Sequence, residues 1–196
     1  MKKNNKLNKK KTIIEKYNSS AQFYDERYKA IQEKKYRVTL DNLSLTGKRV
    51  LDLGCGSGML FEYILFSKSN QYDGKCKFVG IDISWNMLQQ FKAKMLKMSK
   101  NANLMIILSD IENLPFRNNV YDIAISLTSF QNLPNMFKGI SEAIRVCLKK
   151  GEIIFSVLRK KLDKKTFMNF LKPFMKDIKI MDHQDLEDTI FRGKLR

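Results

Sequence analysis

Three carboxylates each close an apolar run: Asp52 follows Val50-Leu51, Asp82 follows Phe78-Val79-Gly80-Ile81, and Asp110 follows Leu104-Met105-Ile106-Ile107-Leu108-Ser109. After Asp52 the chain reads Leu53-Gly54-Cys55-Gly56-Ser57-Gly58, with glycine at every second position. An apolar run ending in glycine punctuation reads as a buried strand entering a tight turn. Glycine allows positive φ there and lets a ligand approach the backbone. Met59 to Leu65 then reads as the opening of a helix, so the turn delivers free N–H groups to a nucleotide-type ligand. A dinucleotide fingerprint needs G-x-G-x-x-G. Here its last position is Met59, and the third glycine is Gly58 instead. A carboxylate at the mouth of the turn repels a pyrophosphate at short range. Asp52 suits a ligand with a cationic amino group or a sulfonium.

Strands alternate with helices around these residues, which predicts a doubly wound α/β sheet with right-handed crossovers. Strands are expected over 50–53, 78–83, 104–110, 121–127 and 153–158, with candidate sixth and seventh strands at 178–181 and 189–192. All three carboxylates then lie on the carboxyl edge of the sheet, where such folds bind ligands. Asp82 is placed to accept hydrogen bonds from ribose hydroxyls. Ser84 is a good N-cap for a helix from Trp85 to Ser99, with Trp85, Leu88, Phe91, Met95 and Met98 as its core stripe. A helix over Met136–Leu148 places Cys147 on an apolar stripe with Ile140, Ala143 and Ile144. Gly151 is its expected C-cap. A last helix runs from Thr166 to Met175.

The chain has 196 residues, 43% of them hydrophobic, enough for one domain with a full core. No apolar run reaches the roughly 18 residues of a membrane span, and the N-terminus lacks the apolar segment of a secretory signal. Three widely spaced cysteines, Cys55, Cys76 and Cys147, form no metal-binding pair and suit a reducing cytoplasm. A single histidine, His183, argues against a histidine-based triad or metal site. The net charge of +17 sits mainly at the ends: residues 1–48 hold 13 Lys/Arg against 5 Asp/Glu, and residues 159–196 hold 11 against 6. That balance favours acidic partners such as RNA, an anionic membrane surface or acidic substrates. Residues 1–11, with six lysines and three asparagines, read as a basic disordered tail. Residues 12–46 read as a broken helical segment on which Phe23, Tyr24, Tyr28 and Ile31 share a face. Residues 47–196 form the ligand-binding domain.

The run from Asp52 through Gly54, Gly56 and Gly58 resembles the first motif of the class I S-adenosylmethionine-dependent methyltransferases. Asp82 and Asp110 fall in register as its second and third motifs. The resemblance covers roughly residues 48–195 and looks closest to the small-molecule branch, which includes quinone-ring methyltransferases. It implies a mostly parallel seven-stranded sheet in three α-β-α layers, with an antiparallel C-terminal hairpin strand. It implies S-adenosyl-L-methionine as cofactor, held by Asp52, Gly54, Cys55, Gly56 and Gly58. Asp82 and Ile83 would bind the ribose side, Met87 would lie against adenine, and Asp110 and Ile111 would take the adenine edge. Leu127, ending the fourth strand, completes the set. Phe23-Tyr24-Asp25-Glu26-Arg27-Tyr28 resembles the family's N-terminal lid. Tyr24, Phe130 and Gln131 are the expected acceptor contacts. The segment Thr128 to Pro134 lacks the Asn-Pro-Pro-Tyr motif of amide and exocyclic-amine methylation. Cys55 and Cys147 read as a cofactor contact and a core residue rather than nucleophiles. No general base and no metal are implied. A small-molecule acceptor is the leading reading. An RNA or protein methyltransferase using the basic ends is one alternative, and a non-catalytic cofactor-binding protein is another.

Overall fold

The computed structural model describes residues 2–66, 75–98 and 103–196, excluding the side chains of residues 2–5 and of Met98. Residues 67–74 and 99–102, including Ser99 at the expected end of the helix from Trp85, lie outside the described residues. Seven strands form one sheet: β1 (Arg49–Leu53), β2 (Lys77–Asp82), β3 (Leu104–Leu108), β4 (Tyr121–Leu127), β5 (Cys147–Leu158), β6 (Met175–Asp182) and β7 (Asp188–Leu195). Their spatial order is β3-β2-β1-β4-β5-β7-β6. Only β7 runs against the rest, wedged between β5 and β6. The expected doubly wound sheet with an antiparallel C-terminal strand is therefore present. The helices are α1 (Lys2–Ser20), α2 (Tyr24–Thr39), α3 (Met59–Phe66), α4 (Trp85–Met98), α5 (Met136–Val146) and α6 (Lys164–Leu171). No described helix is long and apolar enough to cross a membrane.

β1 lies in the interior of the sheet, between β2 and β4, and its apolar side chains are buried on both faces. Val50, Leu51 and Leu53 are fully buried. Leu51 and Leu53 join one core with Phe130, Phe155, Phe167 and Phe191. Val50 joins the other, with Phe61, Phe78 and Phe91. In the first core the Phe155 and Phe191 rings stack at 5.0 Å. Such pairs contribute about 1 kcal/mol beyond the area they bury. Chain order reverses at the β1–β4 junction, where Asp52 stands level with Gly80 of β2 and Ile125 of β4. A sheet of this kind opens its ligand crevice at that junction.

Several local expectations change. Residues 2–20 are helical where composition predicted a tail over 1–11. The buried side of α2 runs through Tyr24, Tyr28, Gln32, Lys35, Tyr36 and Thr39, the i, i+4 row set by its two tyrosines. Phe23 sits in a 3₁₀ turn over Ala21–Phe23, and Ile31 falls off that row, so both are exposed. Trp85, the first residue of α4, is also exposed, while Leu88 and Phe91 carry the buried stripe and Met87 is buried beside them. Cys147 opens β5 instead of ending a helix. It is buried as expected, but the left-handed residue nearby is Lys150 (φ 64°), in a bulge between β4 and β5, and Gly151 caps nothing. Asp163 caps α6 by accepting from the N–H groups of Lys165 and Thr166, so this helix begins and ends earlier than expected.

Gly58 shows how tightly the turn is packed on the core. Its φ is +81°, and a Cβ there would fall 2.2–2.5 Å from ring atoms of Phe91. Gly47 has a similar φ of +66° with nothing within 4 Å. Gly58→Ala should therefore destabilise the fold by about 3 kcal/mol, and Gly47→Ala by about 1 kcal/mol, in urea titrations. Equal losses would mean that the Phe91 contact is not the constraint.

Candidate functional site

The first glycine turn closes on β2. The N–H groups of Gly54 and Cys55 both donate to the Ile81 carbonyl, at 2.8 and 2.9 Å, and Gly58 N–H donates to the Cys55 carbonyl at 3.0 Å. Gly54 (φ +81°) lies so near the segment after β4 that a Cβ would sit 2.2 Å from Ser129 Oγ. A Cβ on Gly56 (φ +55°) would meet nothing within 4 Å. The turn is thus packed at its ends and open in its middle.

The three strand-end carboxylates sit in three different environments. Asp52 is 3% exposed. Among the described residues its Oδ2 has no hydrogen-bond partner. Burial, with a smaller push from the Asp82 charge, raises its carboxyl to about 8. Asp82 is also raised by burial, but backbone groups oppose the shift: Gly56 N–H donates to Oδ2 at 2.9 Å and Ser84 N–H to Oδ1 at 2.8 Å. Ile83 adds a third backbone donor and is half-buried. At Asp110 burial pushes the carboxyl up. Lys10 Nζ on Oδ2, the Glu112 N–H at 2.9 Å on Oδ1 and Asn113 Nδ2 at 3.2 Å on Oδ2 outweigh it, and the group lies below the usual carboxylate range.

A helical lid covers this edge. Lys10 bridges Asp110 and Glu112, and Lys9 Nζ donates to the Leu133 carbonyl at 2.6 Å. Asn18 Oδ1 accepts from Ser84 Oγ at 2.7 Å and Asn86 N–H at 3.1 Å. Asn132 Nδ2 donates to the Tyr17 hydroxyl at 2.9 Å. The Tyr17, Tyr24 and Tyr28 rings form a chain with centroids 6.2 and 4.7 Å apart. Burial, helped by the Asp82 charge, raises the Tyr17 phenol to about 12. Tyr24 is raised too, by burial and then by Tyr17 and Asp82, with Gln32 on its hydroxyl. Asp25 accepts from Ser57 Oγ and pairs with Lys94, which fastens α2 to the turn and to α4. A groove of about 400 Å³ between α2 and α3 is lined by Tyr36, Met59 and Tyr63 and holds none of the three carboxylates.

The remaining expected positions divide. Cys55, Met87 and Ile111 are buried against the turn or the strand ends, and Leu127 is half-buried at the end of β4. Burial raises the Cys55 thiol, and it takes Cys147 to about 12, so neither is a thiolate near neutrality. Phe130 requires correction. It is fully buried, edge-on to Phe155 at 5.7 Å, and supports the core instead of facing an acceptor. The Gln131 carbonyl is taken by Leu158 N–H at 3.4 Å, and only 8% of the residue is exposed. His183 is exposed in the β6–β7 connection.

Sequence reasoning missed a buried polar cluster beside the β4 end. Lys35 Nζ donates to Thr128 Oγ1 at 2.6 Å and pairs with Asp188 Oδ1 at 3.1 Å. Thr128 Oγ1 and Ser156 Oγ donate to Asp188 Oδ2 at 2.7 and 2.6 Å. The ion pair is 4% and 0% exposed and ties α2 to β7. Thr128 itself is left-handed (φ 59°). Lys35 reads in sequence as one of two adjacent surface lysines. Its only distinguishing signal is the row it shares with Tyr24, Tyr28 and Gln32.

A family model described as a methyltransferase domain matches residues 44–191, and the chain belongs to that family. Its fold is that of the class I S-adenosylmethionine-dependent methyltransferases. The chain is 26% identical over 131 residues to a phosphatidylethanolamine N-methyltransferase of Cereibacter sphaeroides, covering 67% of this chain and 61% of the relative. It is 29% identical over 147 residues to a demethylmenaquinone methyltransferase of Lactococcus lactis, covering 72% and 56%. It thus spans about three fifths of the length of these curated relatives. Among solved structures, magnesium protoporphyrin IX methyltransferase from Synechocystis with bound S-adenosylmethionine superposes with a TM-score of 0.72 at 17% identity, covering 96% of this chain and 97% of that one.

The Asp52 environment has a direct consequence. Its carboxyl is raised in the folded state, so the folded protein keeps a proton that the unfolded chain releases above about pH 4. Its contribution to stability is therefore lost as pH rises through a window ending near 8. In thermal melts of cofactor-free protein from about pH 5 to about pH 8, Asp52→Asn should flatten the decline and be the more stable protein at the upper end. Parallel profiles would show that Asp52 is not the responsible group.

Proposed function

We propose that this chain is an S-adenosylmethionine-dependent methyltransferase acting on an oxygen, nitrogen or carbon nucleophile of a small-molecule acceptor. The observation that carries the reading is Asp52, a buried carboxylate with an unpartnered oxygen at the mouth of an open glycine turn. A cationic ligand group offsets the burial of such a carboxylate, whereas a pyrophosphate aggravates it. When bound, the cofactor supplies an electrophilic methyl group on a sulfonium.

The chain's own residues would bind, align and exclude water. Asp52 accepts from the cofactor's amino group. The backbone of Gly54, Cys55, Gly56 and Gly58 lines its path. Asp82 has lone-pair capacity left beyond its three backbone donors and would accept from ribose hydroxyls. Ile83, Met87, Ile111 and Leu127 give apolar walls. Asp110 shares its outer oxygen between Lys10 and the adenine amine. Tyr17 and Tyr24 roof the site, and their phenols stay protonated across the neutral range. A small-molecule acceptor is supported by the relatives' names, which specify a phospholipid, a quinone precursor and a tetrapyrrole.

Titration calorimetry with S-adenosylmethionine tests the reading. Asp82→Ala should weaken binding about tenfold or more, equivalent to about 1.4 kcal/mol. A nicotinamide dinucleotide should bind more weakly than S-adenosylmethionine. Unchanged affinity in the variant, or tighter dinucleotide binding, would overturn the assignment. A radiolabelled methyl-transfer screen against fractionated small-molecule extract should then label an acceptor. Binding without transfer to any fraction would favour a non-catalytic cofactor-binding protein.

A further inference from the structure

The elements that close the candidate site also carry exposed large apolar side chains. Leu7 of α1 is 69% exposed, Phe23 58%, Ile31 of α2 46% and Trp85 55%. A tryptophan and a phenylalanine so far in water need a reason, because each has a large area to bury. Phe23 and Trp85 belong to one corner of the molecule. Asn18 holds Ser84 and Asn86, the two neighbours of Trp85 in the chain, and the 3₁₀ turn bearing Phe23 begins three residues after Asn18 and packs on α4.

The two lid helices are strongly basic. Residues 2–20 contain seven lysines and one acid, Glu15. Lys10 turns inward to Asp110 and Glu112. Lys6, Lys9, Lys11 and Lys16 are exposed, as are Arg27, Lys29, Lys34 and Arg37 of α2. Against them stand Glu15 and Glu26, both exposed, Glu33, which is half-buried, and Asp25, which is paired with Lys94.

We propose that α1 and the Phe23–Trp85 corner form a docking surface for an anionic phospholipid bilayer, and that the lid of the site therefore rests against the membrane. Lysines clustered beside an anionic leaflet are attracted to it, and tryptophan and phenylalanine settle at the headgroup boundary. Leu7 and Ile31 favour a bilayer over nucleic acid, since aliphatic side chains insert among acyl chains but have no ring face on which a base can stack. The surface does not depend on the identity of the methyl acceptor.

Trp85 is the only tryptophan in the chain, so its emission reports on this corner alone. The full chain is titrated with equimolar phosphatidylglycerol–phosphatidylcholine vesicles, with pure phosphatidylcholine vesicles and with polyuridylate. The mixed vesicles should shift Trp85 emission to the blue and expose it to quenching by brominated lipid. Co-sedimentation should fall several-fold between about 50 mM and about 500 mM salt. Phe23→Ser should weaken vesicle binding about tenfold. Lys6→Glu/Lys11→Glu should weaken it similarly while leaving S-adenosylmethionine affinity unchanged, which separates failure of docking from failure of the cofactor reading. No blue shift with mixed vesicles would overturn the proposal. So would equal, salt-insensitive binding to pure phosphatidylcholine, or an RNA-induced change without a vesicle response.

Discussion

The interaction on which the structure turns is one that the protein leaves incomplete: the buried Asp52 carboxylate. Taking a charge out of water costs several kcal/mol unless a partner offsets it. Asp52 sits in the interior strand β1, between Gly80 and Ile125, with one oxygen unpartnered among the described residues. Its position follows from β1, whose apolar neighbours Val50, Leu51 and Leu53 are fully buried and carry the polar residue in with them. The fold accommodates the cost by holding a proton on the group. On the proposed assignment, a cationic group of the cofactor would remove the need for that proton.

The other two strand-end acids show what compensation looks like. Asp82 is answered by backbone N–H groups from the glycine turn and the start of α4, so its charge also fixes the shape of the turn. Asp110 is answered by Lys10. From β1 outward, the three carboxylates pass from uncompensated to backbone-compensated to ion-paired. The same N-terminal helix that supplies Lys10 reaches Ser84, Asn86 and Asn132 through Asn18 and Tyr17. Closing the lid and neutralising the outer carboxylate are therefore one event. The Lys35–Asp188 pair fastens the second half of the lid to β7 beside the end of β4.

The ends of the first three strands were legible to within two residues because an apolar run and then an acid marked each, with glycines after the first where the chain turns left-handed. β4 was read to its last residue for the same reason, since Tyr121–Leu127 is apolar on nearly every position. What escaped depended on distant partners. Residues 2–11 look disordered by composition, yet Lys9 and Lys10 find Leu133, Asp110 and Glu112, a hundred or more positions away, to hold. Lys35 looks solvated until Asp188 is brought opposite it. Phe130 follows the strand that faces the ligand, yet the 3₁₀ turn over Phe130–Asn132 swings its ring into the core beside Phe155. Cys147 fits a helical stripe, but β4 pairing at Tyr121 draws it into β5.

The most direct measurement is the titration of the Asp52 carboxyl carbon by NMR, in free protein and in protein saturated with S-adenosylhomocysteine, which retains the cofactor's amino group. The account predicts a midpoint near 8 in the free protein and an ionised Asp52 throughout the neutral range in the complex. An ordinary carboxylate midpoint in the free protein, or an Asp52 that stays protonated at neutral pH with the ligand bound, would contradict it.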